Sequence, residues 1–134
     1  MARLPDLGAV LSVSGASLLT TYVAGSSLPV GGAAMTRFTA YLTGKVASPI
    51  NSFVVKLQSR HDATVADWSD MASTRDDDGT EELEHTYTAT STSTADYYSF
   101  HVDPRVALNG LRVLCKVSST GAAGDSCVVY GAAW

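Results

Sequence analysis

The feature that most constrains this chain is a hydrophobic period of two. In MTRFTAYLTGKV (35–46), Phe38, Ala40 and Leu42 alternate with Arg37, Thr39, Tyr41 and Thr43. In SFVVKLQS (52–59), Phe53, Val55 and Leu57 alternate with Val54, Lys56 and Gln58. In EELEHTYTA (81–89), Leu83, His85, Tyr87 and Ala89 alternate with Glu82, Glu84, Thr86 and Thr88. Successive side chains of a strand point to opposite faces, so such runs bury one face and leave the other to solvent or a partner. YYSFHVD (97–103), LRVLCKVSS (111–119) and SCVVYGAAW (126–134) continue the pattern, and AVLSVSG and SLLTTYVAG can add one or two strands upstream.

Between these runs lie GSSLPVGG, ASPIN, RDDDGT, STSTAD, DPRVALNG and STGAAGD, all rich in turn-forming residues. Two stretches resist the strand reading. HDATVADWSDM can form a helical turn capped by Asp62 or Thr64, and DPRVALNG another, bounded by Pro104 and Gly110. About seven or eight short strands without a long helix predict an all-β fold, an antiparallel β-sandwich of jelly-roll-like type. At 134 residues the chain reads as one domain, with a sandwich over 31–134. Residues 1–30 are nearly uncharged and rich in Gly and Ala; they read either as an extended N-terminal arm lying along a neighbour or as an edge hairpin of the sandwich. Trp134 calls for burial, in its own core or in an interface.

Charge narrows the function classes. Only 16% of residues are charged and the net charge is −4, a combination that suits a protein with interface surfaces and argues against a phosphate-binding one. Nucleic acid is not an expected partner. The N-terminal stretch has neither the basic nor the compact apolar region of a secretion signal, and its recurring Ser, Thr and Gly do not suit a membrane span. Cys115 and Cys127 flank the turn STGAAGD; a hairpin there would place them nearly opposite, where a cross-strand bridge could form. In an unexported protein, two reduced, buried thiols are the favoured reading.

No constellation for catalysis emerges. His61, Asp62, Asp67 and Asp70 cluster in LQSRHDATVADWSDM, but one imidazole is too few for zinc and the order lacks the glycine of a calcium loop. RDDDGTEE reads as a hairpin turn with Asp78-Gly79 at its tip. His85 and His101 read as structural strand residues, and no serine stands in a nucleophile motif. The expectation is a non-enzyme, without catalytic residues, metal or cofactor.

Ser59, Asp62, Trp68 and Met71 carry a resemblance. This loop is similar to the S-x-D-G-x-x-W-x-x-[LM] loop of viral β-sandwich proteins and discoidin-like domains. The resemblance implies that Ser59 and Asp62 organise the turn while Trp68 and Met71 plug the core. Ala63 stands where that pattern has its glycine, and the spacing to the tryptophan is longer. In layout, residues 30–134 resemble small structural proteins of tailed-phage virions, most of all capsid decoration (cement) proteins. That resemblance implies a virion protein that bridges and stabilises capsid subunits, with the major capsid protein or other virion proteins as partners, and a homo-oligomer, a trimer in the favoured case. Residues expected at the interfaces are Leu4, Leu7, Val10, Leu11 and Val13 of the arm, with Tyr22 and Tyr41. A neck, tail or fibre-base protein of the same virion and a discoidin-like carbohydrate-binding module are the other readings.

Overall fold

The computed structural model describes residues 6–28, 36–44, 52–60, 68–70, 74–76, 81–82, 84–102 and 110–133. Its strands are β1 (Asp6–Ser14), β2 (Val23–Ala24), β3 (Thr36–Thr43), β4 (Phe53–Ser59), β5 (Ser69–Asp70), β6 (Thr74–Asp76), β7 (Glu81–Glu82), β8 (His85–Tyr87), β9 (Asp96–Val102), β10 (Leu111–Val117) and β11 (Ser126–Ala133). A 3₁₀ turn, Gly15–Ser17, follows β1. Among the described residues no helix is long and apolar enough to cross a membrane.

The strands form two antiparallel sheets, ordered β1-β11-β3-β9-β6-β7 and β2-β10-β4-β5, with β8 also pairing β4. The short β5, β6 and β7 lie between β4 and β8 in the chain. Setting them aside leaves β1-β11-β3-β9 facing β2-β10-β4-β8. This is the strand order of a jelly roll, in which the chain passes repeatedly from one sheet to the other. The expected all-β sandwich is therefore present, and the segment with the unusual charge cluster is an insertion between the fourth and fifth principal strands.

The period of two is what fills the core. Phe38, Ala40 and Leu42 of β3 are fully buried, as are Phe53, Val55 and Leu57 of β4. Phe100 of β9, Leu111 and Val113 of β10 and Cys127 and Val129 of β11 complete the centre. Phe38 stacks on Phe100 with ring centroids 5.4 Å apart. His85, 1% exposed, stacks on the other side of this cluster at 5.4 Å from Phe100, so it is a buried aromatic partner of the core.

From Asp6 onward the N-terminal segment is a strand of the sandwich and not an arm. β1 pairs with β11 over Asp6–Ser14, and Val10, Leu11 and Val13 belong to the buried core. The pairing contains register shifts between Asp6 and Gly8 and between Ala9 and Leu11. Gly8 takes the left-handed φ of +69° that a bulge requires, and the second shift lets the adjacent Val10 and Leu11 both turn inward. Over Asp6–Ser14 the structure contains an edge strand of the sandwich; residues 1–5 and 29–30 lie outside the described residues. β2 then docks against β10, and Gly25 lies so close to the Val10 carbonyl that a Cβ there would collide with it.

Cys115 and Cys127 do not face each other across a hairpin. β10 and β11 lie in opposite sheets, and the connection between them carries the chain across the edge of the sandwich. It is held by Asp125, whose Oδ2 accepts the Ala122 N–H at 2.8 Å. Both cysteines are free thiols buried in the core. Contact with the Cys115 thiol, with burial, pushes the Cys127 thiol well above its ordinary range. Of the stretches where helical turns were expected, HDATVADWSDM and DPRVALNG, residues 61–67, 71 and 103–109 lie outside the described residues, as does Trp134, and Ser69–Asp70 form a strand instead of a helical turn.

Candidate functional site

The two outer faces of the sandwich carry the side chains that can meet other molecules. On the five-stranded sheet, alternation turns Lys56 and Gln58 of β4 outward, beside Arg112, Leu114 and Lys116 of β10; Gln58 is paired with Arg112 and Lys56 with Leu114. Arg112 donates from both Nε and Nη2 to Gln58 Oε1, at 2.9 and 2.7 Å. The amide Nε2 of Gln58 donates to Asp70 Oδ1 at 2.9 Å, and Lys56 Nζ lies 3.0 Å from the same oxygen. The hydrogen bond from Gln58 and the neighbouring Lys56 hold the Asp70 carboxyl below the usual carboxylate range.

Aromatic rings sit under the cations of this face. The guanidinium carbons of Arg60 and Arg112 lie 4.7 and 4.4 Å from the centroid of Trp68. Lys56 and Lys116 lie 4.1 and 4.7 Å from the centroid of Tyr22. Ring faces attract cations electrostatically, by about 0.5–1 kcal/mol where solvent still reaches the pair. Burial, and the Glu84 carboxylate beside it, push the Tyr22 hydroxyl far above the ordinary phenol range. Burial and the charge of Arg60 lower the Arg112 guanidinium from its usual value.

The outer face of the six-stranded sheet is different in kind. Tyr41 of β3 stands opposite Tyr97 of β9, and the two rings meet edge to face at 4.7 Å. Tyr130 of β11 packs edge to face on the other side of Tyr41 at 5.2 Å. Tyr97 and Tyr130 are 65% and 45% exposed, large for aromatic residues in mid-strand. Hydroxyl pairs flank them: Thr39 with Ser99 at 3.3 Å, and Thr43 with Ser126 at 2.6 Å.

The residues expected at interfaces divide accordingly. Leu4 lies outside the described residues, and Leu7 is in β1. Val10, Leu11 and Val13 are core residues and present no surface, because edge pairing with β11 takes them inside. Tyr22 and Tyr41 are both half-buried on outer faces, one on each sheet. In the loop, Ser59 ends β4 and pairs with Ser69 of β5, while Asp62 and Met71 lie outside the described residues. Trp68 is not a core plug. It is half-buried on the outer face, where β5 brings it beneath two guanidinium groups.

The sequence reading missed Arg60, Arg112, Lys116, Tyr97 and Tyr130. Their signal was present in the alternation: each of the five stands on the outward side of the alternation and is polar or aromatic. It was hidden because the pairs form between strands distant in sequence, Arg112 with Gln58 and Tyr97 with Tyr41. Among the described residues no cluster of His, Cys, Asp and Glu could hold a metal ion.

Comparison with known proteins adds a fold likeness. No family model matches the chain, and no curated protein matches it. Among solved structures, the chain is similar to the SPBc2 prophage-derived protein YomS, with a TM-score of 0.53 and 14% identity over 100% of this chain and 97% of that one. At that identity the likeness concerns the fold, and it extends along the whole of both chains.

Proposed function

We propose that the chain is a non-enzymatic structural protein of a tailed-phage virion that binds and stabilises the capsid as a decoration or cement protein. The observation that carries this reading is the cluster of Tyr41, Tyr97 and Tyr130 on the outer face of the six-stranded sheet, with Tyr97 and Tyr130 exposed. Tyrosine is enriched at the centre of protein interfaces, and charge is depleted there. The jelly roll and the likeness to a prophage-derived protein support the setting, although a fold alone does not assign a function. Its partners are the major capsid protein or other virion proteins, and it works as a homo-oligomer, a trimer in the favoured case. Such binding stabilises the assembled shell by mass action, because it favours only the state that presents the site.

A carbohydrate-binding role would have to use the tyrosine face, since both guanidinium groups already occupy the ring of Trp68. Quantitative mass spectrometry of purified phage particles carrying this gene tests the proposal. Copies in a fixed ratio to the major capsid protein support decoration. A single ring's worth of copies moves the protein to the neck or tail, and absence from the particle overturns the virion reading.

A further inference from the structure

The five-stranded face carries Lys56, Arg60, Arg112 and Lys116, nearly half of the chain's 9 basic residues, in a protein of net charge −4. Lys56 is paired with Asp70. Arg112 spends its Nε and Nη2 on a neutral amide oxygen, and Arg60 donates from Nη2 to the Ser27 hydroxyl at 3.1 Å. Arg60 Nε is buried and has no hydrogen-bond partner. Among the described residues, neither arginine nor Lys116 has a carboxylate partner. Two guanidinium groups are thus held near one another over one ring, against their mutual repulsion, with their charge unmet.

The surroundings fix this pair in place. The Trp68 ring supports both groups, the Gln58 oxygen grips one edge of Arg112, and Asp70 in turn holds the Gln58 amide. Arg60 can lie where it does because position 110 is glycine; a Cβ there would come within 3.0 Å of Arg60 Nε. Donors arranged in advance lose little entropy when a ligand arrives. Both arginines and Trp68 are only half-buried, so the face is open to a partner.

We propose that Arg60 and Arg112, backed by Trp68, form a socket for a carboxylate side chain of an acidic, extended segment on a partner protein, with Lys116 as its second point of attachment. The planar fork of arginine matches a carboxylate, and two adjacent forks can share one. Lys116 lies four residues along β10 from Arg112, about 13 Å at the rise of a strand. An extended peptide with acidic residues at the same interval spans both. This goes beyond the virion reading and does not depend on it.

The test is titration of the purified chain with a hexaglutamate peptide, followed by calorimetry and by the Trp68 indole N–H signal in NMR. Hexaglutamine and inorganic phosphate serve as comparison probes. The expected result is saturable binding of hexaglutamate that shifts the Trp68 signal, is abolished by salt, and weakens by about tenfold in Arg60→Gln and in Arg112→Gln. Arg60→Gln removes only one described hydrogen bond, so it keeps the test valid if Arg112→Gln unfolds. No binding, or equal binding by Arg60→Gln, overturns the socket. Phosphate binding tighter than hexaglutamate overturns the choice of carboxylate. Self-association of the chain that Arg60→Gln abolishes makes the occupant a second copy and overturns the choice of partner.

Discussion

The two outer faces of this sandwich rest on the same core and solve the problem of a solvent-side sheet differently. On the β4–β10 face the polar groups are linked to one another: Asp70 with Lys56 and Gln58, Gln58 with Arg112, and the Tyr22 ring with two lysines. On the β3–β9–β11 face the rings of Tyr41, Tyr97 and Tyr130 touch one another and are then left open. The first face is a network with positive charge to spare. The second is an aromatic surface, centred on three tyrosine rings. The difference teaches that one jelly roll can present two chemically distinct surfaces at once.

If both faces hang on one core, removing its centre must abolish them together. Phe38→Ala is expected to cost about 3–5 kcal/mol in urea unfolding, through lost burial and the cavity left between Phe100 and the facing sheet. The two-state transition should remain single by both near-UV signal and backbone signal. Separate transitions for the two sheets would break the comparison at its root.

A change on one face should leave the other alone. Trp68→Ala removes two cation–ring contacts and is expected to lose about 1–2 kcal/mol of stability. NMR shifts should move at Arg112, Gln58 and Asp70 but not at Tyr97 or Tyr130. Tyr97→Ala is smaller still, about 0.5–1 kcal/mol, because the residue is largely exposed and loses one ring contact. Its effect should appear instead in binding to the particle.

The smallest effect is electrostatic. The folded Asp70 carboxyl sits below its ordinary value of 3.8, so its contribution is present above that value and is lost as the pH falls through the folded one. Because Asp70 is exposed, the contribution is slight. Comparing acid unfolding of the native chain with that of Asp70→Asn should show a small stability advantage of the native chain near neutrality that vanishes in strong acid. An advantage that grows on acidification would contradict the pairing of Asp70 with Lys56 and Gln58.

How far the molecule can be read from its sequence follows from where the contacts lie along the chain. The inward sets of β3 and β4 are legible because alternation is local, and Phe38, Leu42, Phe53 and Leu57 are all buried where it puts them. β1 is not, since a bulge breaks the alternation at Val10 and Leu11, and its partner strand is at the far end of the chain. An uncharged segment paired at such a distance looks like a free arm. The cysteines mislead for a related reason: a short turn between two strands suggests a hairpin, whereas in a jelly roll it joins opposite sheets. Trp68 shows the limit of local resemblance, because two residues of β5 are enough to carry it outside. The tyrosine triad and the arginine pair could be found only once the strands were ordered.

The most direct test of the account is occupancy of phage particles by a variant that keeps the fold but loses the aromatic face. A chain with Tyr41→Ser, Tyr97→Ser and Tyr130→Ser together should fold, retain the Trp68 environment, and be largely missing from purified particles by quantitative mass spectrometry. Undiminished occupancy by that folded variant would contradict the claim that this face binds the virion.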